Sequence, residues 1–244
     1  TAQENVETAL APLGVSGRRR GYPAPMIPPD APLPGPGLVV PPAVAVGIAF
    51  ALALVTALAS GPVLRQLPEP LDDPDVASKT PYAALAGPGF AAGVFAASLA
   101  ANLLVVARTP ASHWIAWASL TTVSVLACAI DLRTTYLPRV LAVAGWLVAA
   151  AGAIVAAATT ASVGPLLSAA AGAAALGGFF WVFWRLSRGL GFGDVRLAAT
   201  IGAVTGLESL DLVAGSVLLG TLLGAAWSVG RRLARGHDGP FAYG

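Results

Sequence analysis

Seven stretches of this chain, roughly 38–59, 84–107, 112–130, 138–160, 163–184, 197–208 and 210–229, carry almost no charge. Most reach about 20 residues, the length at which a helix crosses a ~30 Å hydrocarbon core. Only 11% of the 244 residues are charged and mean hydropathy is +0.75, whereas a soluble domain carries about 25% charged residues. There is too little charge to coat a water-facing surface of this size. The expected fold is all-α, a polytopic transmembrane bundle of about seven helices, with membrane lipids as its surroundings. The stretch 197–208 is short and would need tilted neighbours, or a preceding loop that enters the bilayer.

Formal net charge is +2 and the longest run of one sign is Arg18-Arg19-Arg20, so no nucleic-acid surface is expected. A single cysteine, Cys128, excludes an internal disulfide and any cysteine-based zinc cluster. Cys128 reads as a small buried apolar residue. His113 and His237 are each alone in sequence and read as solvated or satisfied; no metal site is expected.

Residues 1–37 hold eight of the twenty prolines and read as an unstructured tail, because proline removes donors and blocks helices. The transmembrane domain is expected over 38–244, with a short loop at about 60–83. Alternating the seven segments puts Arg65, Lys79, Arg133, Arg139, Arg185, Arg188, Arg196, Arg231, Arg232 and Arg235 on one side. The other side, outside the tail, receives Arg108. The positive-inside rule places the first group in the cytoplasm of a multi-pass plasma (inner) membrane protein, with the acidic Glu208–Asp211 loop outside. Arg18–Arg20 run against this unless translation begins at the only methionine, Met26, and the residues before it are not part of the protein. The pairs Gly89/Gly93, Gly202/Gly206 and Gly220/Gly224 read as packing positions that let helices approach closely.

Two carboxylates stand out against this background. Asp131 ends the third segment, in "VLACAIDLRTTYLPRV", and Asp194 sits in the loop before the sixth, in "GLGFGDVRL". Both fall at the cytoplasmic face in this topology. A carboxylate beside hydrocarbon is costly and persists mostly where it pairs or does chemistry. Glycines at 191 and 193 free the backbone for unusual angles and for close approach to a substrate chain. Two carboxylates a few ångströms apart share one proton. The ionised one takes a proton from water while the protonated one donates to the scissile amide, so peptide hydrolysis needs neither metal nor covalent intermediate.

"IDLRTTYLP" followed by "GFGDVRLAATIGAVTG" resembles the type IV prepilin peptidases, membrane aspartic proteases of the Gly-x-Gly-Asp class. The match runs through Asp131 and Pro138 in the first motif, and through Gly191, Gly193, Asp194, Val195, Arg196 and Leu197 in the second. The resemblance covers about residues 38–244. It implies removal of the basic leader from prepilins or pseudopilins at the cytoplasmic membrane face. Such pilins serve type IV pili, type II secretion or DNA uptake. Asp131 and Asp194 would be the catalytic pair, with Gly191, Gly193, Pro138 and Arg196 along the substrate path. Arg139 and Arg196 depart from the acidic or amide residue and the lysine common at those positions. Longer members carry two Cys-x-x-Cys pairs in a cytoplasmic loop and use S-adenosylmethionine to methylate the new N-terminus. The loop here has no cysteine, so no cofactor is expected unless methylation is retained. The closing "GPFAYG" resembles a turn into one more helix. Two other readings remain: a presenilin-like intramembrane protease, whose first aspartate usually follows tyrosine rather than Ile130, and an ion-coupled transporter with paired acids.

Overall fold

The computed structural model describes residues 39–69, 80–187 and 190–235. The tail expected over 1–37, Lys79, Arg188, His237 and the "GPFAYG" turn lie outside them. Seven helical runs follow the seven apolar stretches: α1 (Pro42–Gln66), α2 (Pro88–Arg108), α3 (Ala111–Thr134), α4 (Arg139–Thr160), α5 (Gly164–Leu186), α6 (Phe192–Gly206) and α7 (Leu210–Arg235). The all-helical expectation holds, with no strand among the described residues. Proline marks the starts of α1, α2 and α5, where its missing N–H costs nothing and its fixed φ suits the first turn. α1 runs through Pro62 to Gln66, so the loop expected from about residue 60 begins later.

α1 to α5 are each long and apolar enough to cross a membrane. α6 is short, as its apolar stretch suggested, but it begins earlier than expected, at Phe192. Asp194 is therefore inside its first turn and not in a loop. α3 changes pitch along its length: a 3₁₀ turn Ala111–His113, α-helix Trp114–Ala118, a π-helical stretch Ser119–Ser124, and α-helix Val125–Thr134.

Helix contacts follow the small residues. A Cβ on Gly172 of α5 would overlap the Gly202 carbonyl of α6, and one on Gly206 would stand 2.6 Å from the Ser168 carbonyl oxygen. A Cβ on Gly177 would sit 2.9 Å from Ala199 Cβ, and Gly152 of α4 admits the backbone of Ala116 in α3. Without a hydrophobic force between helices in lipid, such backbone approach is what holds them. The expected packing role thus falls on Gly202 and Gly206. The packing role expected of Gly89, Gly93, Gly220 and Gly224 is corrected: among the described residues nothing lies within 4 Å of where a Cβ would stand on them, so no described helix packs against those positions.

At one end of the bundle, Leu64, Tyr82, Val94, Leu126, Ala127, Ile130 and Leu141 form a buried cluster, with Tyr136 and Leu137 packed on it. At the other end His113 is not alone. Its Nδ1 lies 2.9 Å from Glu208 Oε1, and Trp117 Nε1 donates to the same oxygen at 2.9 Å. This ties the start of α3 to the α6–α7 turn. Burial by itself would raise the Glu208 carboxyl. The two hydrogen bonds and the His113 charge outweigh it and hold the group below the usual glutamate range.

Two outcomes test this architecture. Gly172→Ala should destabilise the folded protein by about 1–3 kcal/mol through overpacking, while Gly89→Ala should not, as read by thermal melting in detergent. Because Glu208 is depressed in the fold, its contribution is present above the ordinary glutamate pKa of ~4.3 and is lost as pH falls through the folded value. The melting temperature should therefore drop in that acidic window, and Glu208→Gln should flatten the drop.

Candidate active site

Ile130, fully buried in the cluster, fixes the rotation of the last turns of α3 and thereby the direction of its neighbour Asp131. α3 ends at Thr134, and the Thr135 N–H donates to the Asp131 carbonyl at 2.7 Å. Thr135 itself is left-handed, with φ 60° and ψ 18°. That conformation costs a β-branched residue about 1–2 kcal/mol, and it turns the chain back so that Tyr136 and Leu137 pack on the cluster. Pro138 is buried and caps the start of α4.

The second motif meets the first at Leu137. Gly191 is the N-cap of α6, with φ −72° and ψ 145°, and Asp194 is the third helical residue. A Cβ on Gly193 would stand 3.0 Å from Leu137 Cβ. A Cβ on Gly191 would sit 3.5 Å from Asp194 Oδ2, so the carboxylate folds back over its own N-cap. Neither glycine has positive φ. The expectation of unusual backbone angles at 191 and 193 is therefore corrected: what glycine allows at 193 is close approach to Leu137.

Asp131 and Asp194, both half-buried, are close enough for the Asp194 charge to act on Asp131. Both charges also act on Cys128. Cys128 is exposed and not the buried residue expected, because it lies on the face of α3 that turns away from the cluster. Arg196 forms no ion pair with Asp194. Its guanidinium carbon lies 4.7 Å above the centre of the Phe192 ring, one turn back on the same helix. Its carbonyl accepts a hydrogen bond from Trp146 Nε1 at 3.0 Å, which couples α4 to α6 beside the aspartate.

Tyr82 is a site neighbour that the sequence did not single out. It is buried in the 3₁₀ turn Tyr82–Leu85, and its N–H donates to Glu69 Oε1 at 2.7 Å. Burial first, then the Glu69, Tyr136 and Asp131 charges, push its hydroxyl up to about 12. No sequence spacing links Tyr82 to Asp131; only the packing of α1, α2 and α3 brings them together. Among the described residues there is no group of three or more His, Cys, Asp or Glu side chains that could hold a metal ion.

The fold and the site define a helical integral membrane protein with two carboxylates brought together from two helices, one behind Gly-x-Gly. Residues 118–229, a stretch that includes Asp131 and Asp194, are similar to the family model described as the type IV leader peptidase family. Among curated proteins, the chain is 36% identical over 74 residues to a prepilin leader peptidase/N-methyltransferase of Aeromonas salmonicida, covering 30% of this chain and 24% of the relative. It is 33% identical over 115 residues to the protein of the same description from Xanthomonas campestris pv. campestris, covering 46% and 40%. The chain thus spans less than half the length of these relatives. No solved structure matches.

If Gly193 works through Leu137, whose Cβ is the atom a methyl group at 193 would crowd, Gly193→Ala should lower activity and Leu137→Gly, which removes that Cβ, should restore part of it in the double variant. The two substitutions should be non-additive by about 0.5–3 kcal/mol, as contacting residues are. A double-mutant cycle on kcat/KM measures this.

Proposed function

We propose that the protein is a membrane aspartic endopeptidase that removes the leader from type IV prepilins or pseudopilins. The carrying observation is the meeting of the two motifs at Leu137 and Gly193, with the Asp194 charge reaching Asp131. The similarity of residues 118–229 to that family model and the relatives' descriptions support the substrate class. The reading of the charged ends supplies the orientation: the site faces the cytoplasm of the plasma membrane, where a basic leader precedes a hydrophobic segment.

In this mechanism the pair holds one proton. The ionised carboxylate accepts a proton from a water molecule as its oxygen attacks the scissile carbonyl carbon. The protonated carboxyl hydrogen-bonds to the carbonyl oxygen and stabilises the developing negative charge. Collapse of the tetrahedral intermediate breaks the C–N bond, with a proton delivered to the leaving amine. The product carboxylate leaves on the leader and the new amine on the pilin. Gly191 leaves room for the substrate backbone, Gly193 lets α6 close on Leu137, Pro138 holds the turn below it, and Arg196 on Phe192 anchors the start of α6 at the headgroup level. Cleavage requires no cofactor. Methylation with S-adenosylmethionine is no part of the proposal, since nothing in the loop between α1 and α2 supplies the cysteine pairs of the bifunctional pattern.

Asp131→Asn and Asp194→Asn should each lower leader removal by about 10²–10⁴-fold with the protein still in the membrane, measured on a prepilin in detergent. The wild-type rate should be bell-shaped in pH: it falls on the acid side as the base protonates and on the alkaline side as the acid ionises, with apparent values that belong to the pair. Near wild-type processing by either variant would overturn the assignment.

A further inference from the structure

The π-helical stretch of α3 lies two turns before Asp131. A π turn pairs N–H with the carbonyl five residues back and takes in one residue more than an α turn. The Val125 N–H reaches the Leu120 carbonyl in this way. One extra residue turns everything beyond it by about 100°, the step of a 3.6-residue helix. In an unbroken α-helix anchored at Ala116, Asp131 would take the direction that Leu132 has now. Leu132 is 71% exposed, while Ile130 is fully buried. Without the π turn, Asp131 would point out of the bundle and Ile130 would leave the cluster.

The π turn is held by three buried polar side chains, Ser98 and Asn102 of α2 and Thr121 of the turn itself. Ser98 Oγ donates to the Thr121 carbonyl at 2.7 Å. Thr121 Oγ1 donates to Asn102 Oδ1 at 2.9 Å. Asn102 Nδ2 donates to the Ser98 carbonyl at 2.9 Å and to Ser98 Oγ at 3.2 Å. All three residues are at most 4% exposed. A buried amide in an apolar bundle is costly unless its partners are all present, and here the donor to its carbonyl oxygen, Thr121, belongs to the irregular turn.

We propose that Ser98, Asn102 and Thr121 are positioning residues for hydrolysis: by fixing the π turn they set the rotation of the lower half of α3 and so aim Asp131 at Asp194. This rests on the reading of Asp131 as one of the catalytic pair. Thr121→Val keeps the side-chain volume and removes the hydroxyl; Thr121→Ser keeps the hydroxyl. Asn102→Leu removes the amide from the α2 side.

The test measures kcat and KM per folded protein, with the full chain in detergent and a peptide carrying a basic leader, a glycine and a hydrophobic segment. Thr121→Val and Asn102→Leu should each lower kcat by about 10- to 100-fold, the scale of a ~1 Å misplacement, with KM within about twofold because substrate contacts are untouched. Thr121→Ser should keep kcat within about threefold of wild type, since its hydroxyl still reaches Asn102. A loss that merely tracks the folded fraction, or an unchanged kcat in both Thr121→Val and Asn102→Leu, overturns the proposal. Asp131→Asn, run alongside, separates the two ideas. If it is active, the catalytic reading fails; if it is inactive while Thr121→Val and Asn102→Leu remain at wild-type kcat, only the positioning role fails.

Discussion

The contact between Leu137 and Gly193 is the joint on which the site depends. Leu137 stands on the buried cluster of Leu64, Val94, Leu126 and Ile130, so it is a rigid surface. The absence of a side chain at 193 lets the first turn of α6 come down on that surface. Each motif alone would put one carboxylate at a helix end. Together they bring the Asp194 charge within reach of Asp131, and the stiffness of the core beneath decides how close. A close-packed interior does not yield to an added methyl group, which makes one glycine decisive.

The rest of the bundle solves the same problem of approach in lipid. Where helices touch most closely, α5 on α6 and α3 on α4, glycine and alanine replace larger side chains and backbone meets backbone. Where they touch through polar groups, each group is paired: among the described residues no buried side-chain nitrogen or oxygen lacks a partner. Serine and threonine hydroxyls in α3 turn back on carbonyls of the preceding turn, as Ser119 does on Ala116 and Ser124 on Ser119. Such bonds accommodate a departure from α geometry. At the far end of α3, Glu208 takes donors from His113 and Trp117 and holds the C-terminal end of α6, whose N-terminal end carries Asp194. α6 is thereby fixed at both ends against α3, the helix that carries Asp131.

The helix count and the two aspartates were legible in the sequence because both depend on local chemistry. Twenty apolar residues in a row have few outcomes in lipid, and a carboxylate beside them is conspicuous wherever it points. The start of α6 was misjudged by about a turn because Gly191 and Gly193 read as loop formers. Gly191 serves as an N-cap and Gly193 adopts ordinary helical angles. Cys128 was misjudged because an apolar run offers no period by which to tell an inward face from an outward one. His113 looked solitary because its partner, Glu208, is 95 residues away.

From the sequence alone follow the all-helical class, the membrane-spanning stretches and the candidate pair Asp131 and Asp194, since hydropathy and residue chemistry are properties of short segments. Only the tertiary structure decided which glycines are contacts, that Arg196 lies on Phe192 rather than on Asp194, and that Tyr82 joins the buried cluster that carries Ile130. It also decided the direction of Asp131 itself. A π turn shifts every later side chain by about one residue step, and that turn is held by hydrogen bonds from another helix, which no pattern within α3 can announce.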